Sequence, residues 1–148
     1  MSYVQLLYHI VIRTKASRSV LSRKHSEKLY RYIWGFIKAK NGVLYRVNGI
    51  EDHLHMLVSL HPTLALSDFM RELKASTSKW LKGVEGFENF EAWGTGYAAL
   101  TCNVRDKNTV INYIKKQREH HRKISFRDEY IEFLKEMELE LDPRDWYR

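Results

Sequence analysis

The sequence predicts an α+β fold: an antiparallel four-stranded sheet with two helices on one face and further helices after it. Three observations carry this. Runs rich in β-branched and aromatic residues alternate with runs of helical periodicity in the order β-α-β-β-α-β. The second and third β runs are separated only by Glu51-Asp52, room for a hairpin turn and nothing longer. The third run, HLHMLVSL, alternates His53 and His55 with Leu54, Met56, Val58 and Leu60, so one face is wholly apolar and suited to pack on helices.

Each element follows from its own residues. YVQLLYHIVIR, residues 3–13, reads as the first strand, and Thr14–Ser22 as a polar, basic loop. Ser22 is placed to cap a helix from Arg23 to about Lys40, with Leu29, Ile33, Phe36 and Ile37 at helical spacing and Asn41-Gly42 as its stop. Val43–Ile50 is the second strand, irregular at Val47-Asn48-Gly49, and residues 53–60 are the third. His61-Pro62 ends it. Ser67 then caps a helix from Asp68 to Lys82 whose inner face is Phe69, Met70, Leu73, Thr77 and Trp80. GYAALTCNV supplies the fourth strand, completing a ferredoxin-like arrangement. A third helix, capped by Asp106 or Asn108, runs to about His121, and an acidic amphipathic helix covers Ser125–Glu140.

Composition narrows the class. The chain has 148 residues, 44% hydrophobic and 13% aromatic, ample for a core and against disorder as the main state. No apolar run approaches the roughly 20 residues of a membrane span. The first residues lack a signal pattern, and the single Cys102 cannot form an internal disulfide, so a cytoplasmic location is expected. The net charge of +7 is unevenly spread: residues 1–125 hold 21 basic and 10 acidic side chains, whereas 126–148 hold four and eight. A basic body with an acidic end points to a polyanion partner, with nucleic acid the expected one.

Two motifs can carry chemistry. His53 and His55 share a strand face, and two adjacent imidazoles on an open sheet face can hold a metal ion, although the spacing alone is a weak signal. On the third helix Tyr113 and Gln117 are one turn apart, with His120 and His121 beyond. A divalent cation held by His53, His55 and Gln117 would polarise a DNA phosphate, and Tyr113 would attack it as a covalent nucleophile. Lys115, Lys116, Arg118 and Arg122 supply positive potential nearby. The chain has no phosphate-binding glycine loop.

In combination, the HLHMLVSL strand and the YIKKQREHH helix resemble the single-tyrosine HUH transposases, enzymes of bacterial insertion sequences that move as single-stranded DNA. VQLLYHIVIRTK, LSDFMRELKASTSKWL and FEAWGTGYAALTCN extend the resemblance over nearly the whole chain. It implies one catalytic domain: a ferredoxin-like core over 1–104, a tyrosine helix over 105–122 and an acidic helix and tail over 125–148. It implies Tyr113 as nucleophile, His53, His55 and Gln117 as ligands of Mg²⁺ or Mn²⁺, and a 5′-phosphotyrosine intermediate. Substrates would be single-stranded element ends bearing hairpins, and the enzyme a homodimer whose composite sites take histidines from one subunit and the tyrosine helix from the other. Lys74, Ser76, Thr77, Ser78 and Lys79 would join Lys115, Lys116 and Arg118 in contacting DNA. Trp93 and Tyr97 are candidates for stacking on bases, though packing suits both better. His120 and His121 would support the ligands or contact phosphate.

This sequence departs from the family where residues 115 and 116 are both lysine and where Gly94 follows Trp93. Other readings stay open: a domesticated relative acting on dispersed genomic hairpins, a non-catalytic single-stranded nucleic-acid-binding module, or a metal-binding dimer without a DNA partner.

Overall fold

The computed structural model describes all 148 residues. Four strands, β1 (Leu7–Arg13), β2 (Val43–Ile50), β3 (His53–Ser59) and β4 (Ala98–Cys102), form one sheet in the order β2-β3-β1-β4. Every neighbouring pair is antiparallel. The helices are α1 (Ser26–Ala39), α2 (Leu66–Gly83), α3 (Lys107–Lys115), α4 (Gln117–His120) and α5 (Phe126–Glu136). No helix is long and apolar enough to cross a membrane.

The strand alternation works as predicted on one face. Leu54, Met56 and Val58 of β3 join Ile10 and Ile12 of β1 in a core closed by Leu29, Ile33 and Ile37 of α1 and Phe69, Met70, Leu73 and Leu81 of α2. The other face is not open. α5 lies across it, packing Phe126, Tyr130, Phe133 and Leu134 on Val11 and Ala98. The molecule is therefore three layers deep at its centre, and β1, covered on both sides, is buried along almost its whole length, His9 and Arg13 included.

Several boundaries move. β1 begins at Leu7, because residues 1–6 find no strand to pair with and stay exposed. α1 begins at Ser26, and Ser22 Oγ instead accepts the His25 N–H in the preceding turn. α2 begins at Leu66 after an extended Ala65, so Ser67 lies inside the helix and is not its cap. β4 starts after Gly96, whose φ of 77° is incompatible with a strand. Ser125 Oγ accepts the Asp128 N–H at the head of α5, which stops at Glu136, short of a left-handed Glu138.

The main difference lies in the predicted third helix, which is two helices. At Lys116 the backbone turns to φ −96°, ψ 20°. Asn48 of β2 explains the break: its Nδ2 donates to the carbonyls of Ile114 and Lys115 at 3.1 and 3.0 Å, groups a continuing helix would use itself. The next residue, Gly49, sits so close to β3 that a Cβ there would lie 2.0 Å from the His53 carbonyl oxygen. Arg118 of α4 is held to Glu51 in the β2–β3 turn at 2.9 Å.

Candidate active site

β3 aims His53 and His55 into the layer beneath α5, where they are 0% and 1% exposed. The break after α3 turns Tyr113 and Gln117 toward the same point. At the centre stands Glu129 of α5. Its Oε1 lies 2.9 Å from His55 Nε2, 3.5 Å from His53 Nε2 and 3.2 Å from His121 Nε2. Its Oε2 accepts from Gln117 Nε2 at 3.1 Å and from the Tyr113 hydroxyl. Gln117 Oε1 faces His53 Nε2 at 3.1 Å and His121 Nε2 at 3.0 Å. Phe126 stacks flat on the His53 ring, centroids 3.7 Å apart, and fixes its plane.

The hydrogen bonds assign the protons. Glu129 is buried, which opposes its charge, yet the bonds from His121, His53 and His55 hold its carboxyl far below the usual carboxylate range. Being ionised, it only accepts, so His55 Nε2 carries the proton it shares with Glu129. His55 Nδ1 is then an acceptor, and His9 Nε2 donates to it at 2.9 Å. Burial keeps both rings neutral: His55 is lowered to about 4, and His9 to about 3 with His55 as a further cause. His53 differs. Burial opposes its charge, but bonds to Asp52 (2.8 Å at Nδ1) and to Glu129 outweigh that and raise its pKa. Tyr113 is raised by burial and then by the neighbouring carboxylate, which favours the neutral phenol.

An ion suits this donor set. Imidazole nitrogens, an amide oxygen and a carboxylate oxygen converge, a nitrogen–oxygen mixture that suits manganese, with magnesium served mainly by the oxygens. A cleft of about 450 Å³ between α3 and α5, bordered by His9, Val110, Tyr113, Glu129 and Phe133, leads to the tyrosine hydroxyl.

Of the residues singled out in the sequence, His53, His55, Tyr113 and Gln117 converge, with His121 among them. His120 Nε2 lies 3.3 Å from Glu129 Oε2 without hydrogen-bond alignment. All these groups belong to one chain. Within the chain the tyrosine helix rests on the histidine strand, with Tyr113 and His55 ring centroids 5.7 Å apart.

The basic helix face divides. Lys79 is exposed and Ser78 half-buried. Ser76 Oγ is hydrogen-bonded to the Tyr32 hydroxyl at 2.5 Å. Lys74 is drawn onto the backbone carbonyls of Gly94 and Gly96. Thr77 does not face solvent at all: fully buried, it donates to Leu73 O and accepts from Trp93 Nε1 at 2.9 Å, which removes both from contact with DNA. Tyr97 remains 38% exposed. Lys115 and Lys116 are exposed, and Arg118 is committed to Glu51.

Glu129 and His9 were missed. His9 sits in a strand whose neighbours are apolar and carries no motif. Glu129 did leave a trace: it occupies an inward position of the stripe Phe126, Tyr130, Phe133, Leu134, where an amphipathic helix otherwise holds apolar residues.

Residues 2–117 match the protein family described as Transposase IS200 like. The chain is 30% identical over 119 residues to the transposase for insertion sequence element IS200 of Salmonella typhimurium, covering 76% of each. It is 27% identical to the ISDra2 transposase TnpA of Deinococcus radiodurans, covering 76% of this chain and 84% of that one. Among solved structures it superimposes on a REP-associated tyrosine transposase bound to a REP hairpin, with a TM-score of 0.61 and 16% identity over 82% of this chain and 72% of the other.

Proposed function

The chain belongs to the IS200-like transposases, and on that premise we propose that it cuts and rejoins single-stranded DNA through Tyr113, with His53, His55 and Gln117 holding Mg²⁺ or Mn²⁺. The observation that carries this is the convergence, within one chain, of a tyrosine hydroxyl with two imidazoles and an amide oxygen.

Tyr113 gives up its proton and its oxygen attacks the phosphorus. The bond from phosphorus to the 3′ oxygen breaks, and that oxygen leaves as a hydroxyl after taking a proton. The strand is then joined to the enzyme as a 5′-phosphotyrosine. A 3′ hydroxyl from another strand reverses the step, so the bond energy is kept and no nucleotide is consumed. The ion, when bound, supplies Lewis-acid stabilisation of charge on the phosphate oxygens. Gln117 and Tyr113, on either side of the break at Lys116, keep the ligand and the nucleophile at a fixed angle to one another.

A hairpin-bearing single strand is the substrate this reading favours, since the structural neighbour that shares this fold is bound to a REP hairpin and the body of this chain carries the excess of basic residues. Within the single chain these four residues already meet; in a homodimer with composite sites the tyrosine helix would take the same place on the partner's histidines.

The test is a covalent adduct. Labelled single strands spanning both flanks of the gene are mixed with protein and Mn²⁺ or Mg²⁺ and run on a denaturing gel. A labelled protein band is expected in the wild type and absent from Tyr113→Phe and His55→Ala. Tight binding without any adduct would instead favour a binding module.

A further inference from the structure

Glu129 lies outside the span that matches the family, on a helix of its own, yet it is the most connected side chain of the site. Resting on the ion-dependent reading above, we propose that Glu129 is itself an ion ligand and at the same time the residue that positions Tyr113, one carboxylate oxygen serving each role.

Donor spacing carries the first half. An octahedral ion with bonds near 2.1 Å separates adjacent ligand atoms by about 3.0 Å. The spacings present are close to that edge: Glu129 Oε1 to His55 Nε2 is 2.9 Å and to His53 Nε2 3.5 Å, and His53 Nε2 to Gln117 Oε1 is 3.1 Å. Four donors from β3, α4 and α5 thus form a connected run, each at roughly one shell edge from the next. The protons that His53 and His55 now share with Glu129 are those an ion would replace. Even held by imidazole, amide and phenol donors, a buried charge on α5 costs desolvation, and side chains of similar volume without charge would pack as well.

The second oxygen carries the other half. Oε2 accepts from the Tyr113 hydroxyl and from Gln117 Nε2, so the nucleophile is tied to the ligand shell through one rigid group. A nucleophile displaced by about 1 Å loses rate on the order of 100-fold, which is the scale of benefit such a tie provides.

The experiment measures Mn²⁺ affinity of the full chain without DNA, by calorimetry and by electron paramagnetic resonance, for the wild type, His55→Ala, Glu129→Gln and Glu129→Asp. Melting without metal checks that each variant is folded. Glu129→Gln keeps the shape and loses the charge; its Mn²⁺ affinity is expected to fall roughly 10–100-fold, with partial recovery in Glu129→Asp. With saturating Mn²⁺, Glu129→Gln is expected to slow adduct formation while binding the DNA strand as tightly as the wild type. If the wild type binds Mn²⁺, His55→Ala abolishes it and Glu129→Gln binds as well as the wild type, the role of Glu129 is overturned while the histidine reading stands. If the wild type binds no Mn²⁺, both fall. Should Glu129→Gln not fold, the Asp variant decides: unchanged affinity and adduct rate on a shortened side chain would overturn the proposal.

Discussion

At the scale of single residues, the site is a set of protonation states fixed by burial. His55 and His9 are neutral imidazoles held to about 4 and about 3, against 6.5 in an unfolded chain. Between those values the unfolded chain binds protons that the folded one refuses, so stability falls as pH drops below 6.5. The slope is about 1.4 kcal/mol per pH unit for each ring. Glu129, depressed when folded, adds stability above its unfolded value of 4.5 that is lost on further acidification. His53 has the opposite sign: its raised pKa stabilises below 6.5, and that contribution fades as pH rises through the folded value. The metal-free protein should therefore show a urea midpoint that declines steadily from pH 6.5 to 4.5, and a flat profile would contradict the buried neutral pair. Little of this was legible in the sequence. The His53-x-His55 alternation and the Tyr113 to Gln117 spacing can be seen in one segment each. Glu129 and His9 acquire meaning only when three distant segments meet.

At the scale of elements, periodicity exposes what a segment buries but not what lies on the far side of it. The apolar face of β3, and the inner faces of α1 and α2, are legible because alternation by two and by roughly four residues is written locally. That α5 would cover the opposite face is not, since any amphipathic helix has several places to dock. The break at Lys116 is equally hidden: KKQRE, at and around it, is made of good helix formers with no Gly or Pro, and the interruption comes from Asn48 on another strand. Asn48→Ala is expected to leave the Ile114 and Lys115 carbonyls without that donor, at a cost of about 1–2 kcal/mol. It should also lower the rate of adduct formation, because the angle between Tyr113 and Gln117 would no longer be set. Denaturant unfolding and the gel assay measure the two effects. A full-strength adduct in a destabilised variant would mean the break is set by other contacts.

At the scale of the whole molecule, charge is divided between a body of +11 and a C-terminal segment of −4. The division matters because Glu132 and Glu136 of that segment border the cleft leading to Tyr113, so a phosphodiester approaching the tyrosine passes two carboxylates. Replacing both by glutamine should tighten single-strand binding roughly fivefold at low salt. The gain should vanish as ionic strength approaches about 1 M, where the screening length shrinks to about 3 Å. Fluorescence anisotropy at several salt concentrations would reveal it, and an unchanged affinity at low salt would remove those carboxylates from the path of the strand. Gly49 carries a consequence of another kind. Its backbone presses on the carbonyl of His53, and any side chain there would prise the hairpin apart at the histidine. A position with no functional group at all is therefore as intolerant of replacement as the residues that do the chemistry, and a genetic screen for loss of function would return it in their company.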